Sequence, residues 1–166
     1  EENHKGAVDL VTMKAYVNEG SSGEKVTEIP IPAELVEQAK DYRQQMIGKL
    51  ADIDDSIGEK FLMEEEPTVE EIRKAIRNGV ISLKLVPVFC GSAFKNKGVQ
   101  LLLDGVNMYL PTPEEKREHA LDLDKNEEKI PLFPDSDKPL VALAFKLQQT
   151  QFGQLTYMRI YQGKVS

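Results

Sequence analysis

The sequence has no tryptophan, one cysteine and two histidines among its 166 residues. Cys90 alone forms no intramolecular disulfide, and no cysteine-based zinc cage can be built from it. His4 and His119 lie far apart, and neither sits beside a recognisable nucleophile, so a His-based triad has no support. No apolar run reaches the length of a membrane span, so no membrane partner is expected. Positive charge is also in deficit. Lys and Arg total 21 against 28 Asp and Glu, a net charge of −7. That balance argues against a general nucleic-acid binder, and no DNA partner is expected. What is present suffices for a core: 40% of residues are apolar, and they fall in periodic runs.

Residues 7–17 are rich in strand formers, and the turn-forming stretch 18–23 follows. With residues 25–29 they predict a β-hairpin, ended by Pro30 and Pro32. Leu35, Ala39, Tyr42, Met46 and Leu50 recur at helical spacing, and Ile53, Ile57 and Phe61 suggest a second helix. Thr68 with Glu71 predicts a capping box, followed by the apolar face Val69, Ile72 and Ile76, with a stop at Asn78-Gly79. Residues 83–90 are almost continuously apolar and predict a strand buried on both faces, although Pro87 favours an edge. A packed, inert thiol is the expectation for Cys90. Gly91-Ser92-Ala93 then forms a small-residue loop before an amphipathic helix carrying Val99, Leu102, Leu103, Val106 and Leu110. Strand, loop and helix together suggest the end of an α/β unit, where ligands bind at the carboxyl ends of strands.

Residues 111–139 hold five prolines and no strong apolar period, so they read as a linker with room for one short element. Residues 140–147 and 155–161 predict a hairpin opening a β-barrel or sandwich. Asp122, Asp124 and Asn126 imitate the start of a calcium loop, but Glu127 replaces its glycine and Phe133 its bidentate glutamate. The strand pattern that runs up to residue 163 leads us to expect a piece of a longer chain.

The string at 87–104, Pro87-Val88-Phe89-Cys90-Gly91-Ser92-Ala93-Phe94 onward to Asp104, resembles the final guanine-recognition region of translation elongation factor G, the ribosomal translocase GTPases. Further stretches agree in order: residues 6–10 and 28–32, residues 65–77, Leu143-Ala144-Phe145-Lys146, and residues 152–163. The resemblance implies an α/β fold with an α+β insertion. Residues 1–82 would be the insertion of a P-loop-type GTPase domain, and 83–112 its last strand, guanine loop and helix. Residues 113–138 would be a linker, and 139–166 the first strands of a β-barrel domain. It also implies that the Ala93 backbone N–H donates to the guanine carbonyl. Ser92 would hold a neighbouring recognition loop, Gly91 would give the turn its close approach, and Phe94 would line the base.

The departures are as telling. No G-x-x-x-x-G-K-[ST] phosphate loop occurs, and Asn96-Lys97-Gly98-Val99 has Val99 where an Asn-Lys-x-Asp motif needs Asp. GTP or GDP with magnesium is therefore expected on the full-length protein. This stretch alone should neither hold nucleotide tightly nor hydrolyse it. The resemblance implies the ribosome as partner, with the large-subunit stalk protein at the insertion and small-subunit rRNA at the second domain, where Lys146, Arg159 and Lys164 are candidates. The wording of the last block leans towards the mitochondrial branch, hence the matrix, with a bacterial cytoplasm as the alternative. The rival readings are a sibling ribosome-recycling or ribosome-protection GTPase, and a non-enzymatic protein-interaction module.

Overall fold

A computed structural model describes residues 4–116 and 118–165. The chain consists of helices and small antiparallel sheets and divides into two compact units, with the boundary between Leu110 and Pro111.

The first unit opens with three strands, β1 (Gly6–Asp9), β2 (Lys14–Glu19) and β3 (Lys25–Ile29), paired antiparallel in that order. Sequence pattern alone predicts one strand over residues 7–17. The break comes from Asp9, whose carboxylate accepts from Val11 N–H at 2.8 Å and from the Thr12 hydroxyl at 2.7 Å. An aspartate that bonds two residues ahead makes its own turn. The turn then sends Val11 into the core.

Helix α1 (Val36–Ala51) buries Ala39, Ile47 and Leu50. Tyr42, from the same predicted stripe, is half exposed. The Arg43 guanidinium donates to the carbonyls of Leu10 and Val11 at 2.7 and 2.8 Å, which ties α1 to the β1–β2 turn. Helix α2 (Asp55–Leu62) starts at Asp54, whose side chain accepts from Ile57 N–H, and it buries Ile57.

Helix α3 (Val69–Ile81) is the centre of the core. Its capping box forms as expected, with the Thr68 hydroxyl accepting from Glu71 N–H and the Glu71 carboxylate accepting from Thr68 N–H. Ile72, Ala75, Ile76 and Val80 face inward against Leu50 and Ile57. The helix passes the expected stop at Asn78-Gly79, because Gly79 is buried where a β-carbon would strike Ile53 and Leu85. Removing the cap hydroxyl in Thr68→Ala should lower the unfolding free energy of this unit by about 1 kcal/mol, read from urea denaturation. The Lys60 ammonium, bonded to Glu71 at 2.7 Å, and the Thr68 N–H hold the Glu71 carboxyl at about 2, below its ordinary 4.5. A lowered folded-state pKa means the contribution is complete above pH 4.5 and is lost as pH falls toward 2.

Residues 83–90 do not form the predicted buried strand. Leu83 turns the chain at φ 59° after α3, and residues 85–90 are irregular, with no ladder partner among the described residues. Leu85 packs on the core, whereas Val86 and Val88 are 82% and 84% exposed. A strand needs a neighbour to satisfy its backbone, and Pro87 removes one donor in any case. Cys90 is exposed rather than packed. Helix α4 (Val99–Tyr109) is likewise turned from the expected face: Gly105 and Tyr109 are buried, and Leu102, Leu103 and Val106 are exposed. Arg77 on α3 donates to the carbonyls of Met108 and Leu110, closing the C-terminal end of α4.

In the second unit the stretch expected as a linker carries two strands, β4 (Glu118–Asp122) and β5 (Glu128–Leu132), paired antiparallel. Between them Asp122 accepts from Asp124 N–H and Asn126 takes a left-handed conformation, so the calcium-like triplet is a turn. Pro131 fits because β5 has a single neighbour. The predicted hairpin forms from β6 (Val141–Thr150) and β7 (Gly153–Gln162), with bulges near Val141 and Phe145. Its turn is only Gln151-Phe152, because the Thr150 hydroxyl accepts from Phe152 N–H and donates to Gly153 O. Most side chains of β6 and β7 are exposed. No helix is long and apolar enough to cross a membrane among the described residues.

Candidate functional site

The four predicted site residues lie together on the loop that leads into α4. Ser92 and Lys97 form an isolated antiparallel bridge: Ser92 N–H donates to Lys97 O at 2.8 Å, and Lys97 N–H to Ser92 O at 2.9 Å. Inside it, Asn96 N–H donates to Ala93 O at 3.1 Å, and Lys95 N–H to the Ser92 hydroxyl at 3.4 Å. Asn96 supports this turn in a left-handed conformation at φ 50°, which asparagine tolerates well. Gly98 follows at φ 76° as the N-cap of α4. A β-carbon there would stand 2.7 Å from Cys90 O, so both conformation and space demand glycine.

The bridge fixes what the loop offers. Ser92 is only 3% exposed, so its side chain is structural here as well as polar. Gly91 and Ala93 are exposed, and Phe94 is 93% exposed. Among the described residues no hydrogen bond engages the Ala93 N–H. A backbone donor on a braced, exposed turn is available to an acceptor on a ligand at little reorganisation cost. A cleft of about 180 Å³ runs past this point, lined by Phe89, Cys90, Ser92, Ala93 and Leu102 among others.

Asn96 and Lys97, which imitate a base-recognition motif in sequence, have other uses. The Asn96 amide donates to Ser22 O at 3.0 Å, and the Lys97 ammonium to His4 O at 2.7 Å. Sequence reasoning missed Asn18 and Gln100, whose side chains bond to each other and to the loop's surroundings. No signal marked them, since Asn18 reads as one more turn-forming residue.

No family model matches the chain. Elongation factor G 2 of Bdellovibrio bacteriovorus is 71% identical over 165 residues, which is 99% of this chain and 24% of that protein. The chain is homologous to a segment of elongation factor G. A mitochondrial elongation factor G-1 of Arabidopsis thaliana is 49% identical over 99% of the chain and 22% of its own length. The chain thus spans about a quarter of the length of these curated relatives. A crystal structure from Thermus thermophilus aligns with a TM-score of 0.68 and 28% identity, over 96% of this chain and 21% of that one. The bacterial and the mitochondrial elongation factor G both extend across the 91–94 loop, since each match covers nearly every residue.

Proposed function

We propose that the full-length protein is a translational GTPase that drives movement of tRNA and mRNA on the ribosome. In this reading residues 1–82 are an insertion, and residues 83–112 are the end of the GTPase domain, with the guanine loop and its last helix α4. Residues 139–166 begin a β-barrel domain. The observation that carries the site assignment is that Ala93 is exposed on a turn braced by the Ser92–Lys97 bridge, with its N–H unengaged among the described residues. A guanine places a carbonyl at C6 where adenine has an amino group. One fixed N–H therefore favours guanine and leaves adenine with a mismatched donor. Gly91 and Ser92 shape the turn, and Phe94 is free to lie along the base.

The same reading accounts for the bare faces of the first unit. Val86, Val88, Leu102 and Leu103 are exposed apolar residues flanking the loop, as expected where the remainder of a nucleotide-binding sheet would pack. Phosphate and magnesium binding would fall to residues outside this sequence. This stretch alone is therefore proposed to be inactive. The stalk protein and small-subunit rRNA are the proposed ribosomal contacts, at the exposed helices of the insertion and at Lys146 and Arg159 of the β6–β7 hairpin with Lys164 just beyond it. A bacterial cytoplasm has a relative at 71% identity behind it, and the mitochondrial matrix one at 49%. The test is GTP hydrolysis by the full-length protein with and without ribosomes. Marked stimulation by ribosomes is expected, and its absence would overturn the proposal.

A further inference from the structure

The β2–β3 hairpin reaches the 91–98 loop through side chains that no motif marks. Asn18, partly buried on β2, accepts from Gly98 N–H at 3.0 Å through Oδ1. Its Nδ2 donates to Gly23 O at 3.0 Å and to Gln100 Oε1 at 3.3 Å. From the other side, Gln100 Nε2 donates to Gly23 O at 3.4 Å, and Asn96 Nδ2 to Ser22 O at 3.0 Å. The hairpin turn also lies directly against the loop backbone. A β-carbon on Gly23, whose φ is +62°, would sit 2.6 Å from Lys95 O and 2.8 Å from Asn96 O.

Gly98 is the point where the loop joins α4, and its left-handed conformation sets the direction in which the chain enters the helix. Fixing its N–H fixes the angle at which the loop leaves the helix. The 91–98 loop spans only eight residues and is closed by the Ser92–Lys97 bridge, so that angle is passed to Ala93. We propose that Asn18 is a positioning residue for base recognition, holding the loop so that the Ala93 N–H meets the C6 oxygen of guanine. The proposal rests on the guanine reading of the loop given above. It adds that the β2–β3 hairpin, distant in sequence, sets how long a guanine nucleotide stays bound.

The test uses the full-length protein and stopped-flow release of two ribose-labelled probes. One is GDP, and the other is the diphosphate of 2-aminopurine riboside, which lacks the C6 oxygen. In Asn18→Ala, GDP release should be about tenfold faster, the worth of one well-placed hydrogen bond. Release of the 2-aminopurine probe should change by less than about twofold, since no C6 oxygen is there to lose. Unchanged GDP release in Asn18→Ala would overturn the proposal. So would equal acceleration of both probes, which would mark a general loosening of the fold. If the unsubstituted protein releases both probes at the same rate, the guanine reading of the loop fails and the Asn18 proposal falls with it. If it discriminates and Asn18→Ala does not alter the discrimination, Asn18 alone is wrongly assigned.

Discussion

Replacing Ala93 with proline is expected to weaken GDP binding to the full-length protein by about thirtyfold, the middle of the range for an unmade hydrogen bond to a buried acceptor. Proline has no N–H, so the substitution deletes the one donor assigned to the base. The turn itself should survive. The Ser92–Lys97 bridge uses neither backbone group of Ala93, and the Ala93 carbonyl remains to accept from Asn96 N–H. Ala93→Ser keeps the N–H at an exposed position and should bind GDP within about threefold of the unsubstituted protein. Calorimetric titration of GDP into both variants reads the difference. Equal affinity in the proline variant would remove Ala93 from recognition.

The second large effect lies in the core. Ile72 is 0% exposed and stands on α3 among Leu50, Ile57 and Ile76. Ile72→Ala removes three carbons from a place that α1 and α2 hold open, so the cavity cannot close fully. A loss of about 3 kcal/mol is expected. At a urea slope of about 2 kcal/mol/M the unfolding midpoint of the first unit should fall by about 1.5 M. Leu62→Ala, on an exposed position at the end of α2, should stay within about 0.5 kcal/mol. A midpoint for Ile72→Ala as high as that of Leu62→Ala would mean that α3 is not the centre of the core.

These two positions also divide what was readable in the chain from what was not. Ile72 was legible because α3 announces itself locally, with Thr68 and Glu71 as its cap and apolar residues at helical spacing. The loop at 91–93 was legible as a loop, since a glycine between an apolar run and a helical period marks a break in the chain. Asn18 was not, because its role depends on a partner 80 residues away, the Gly98 N–H. The β1–β2 break was hidden in Asp9, which reads as an ordinary polar position until its turn is seen. Residues 83–90 have strand composition, but composition supplies no neighbour, and none of the described residues provides one. The exposed Leu102, Leu103 and Val106 of α4 carry the same lesson. Their apolar spacing predicts a buried face, and the described residues leave that face exposed. The prolines of 111–139 hide two strands, because Pro131 sits in a two-stranded pair, where a missing donor can point away from the neighbour.

The activity proposed for the full-length protein is GTP-dependent movement of mRNA on the ribosome. Toeprinting of ribosomes carrying tRNA before translocation tests it most directly. With GTP, the full-length protein should shift the toeprint by one codon, and with ADP in place of guanine nucleotide it should not. A toeprint that stays in place with GTP, while the ribosomes separate into subunits, would contradict the account and point to a recycling factor.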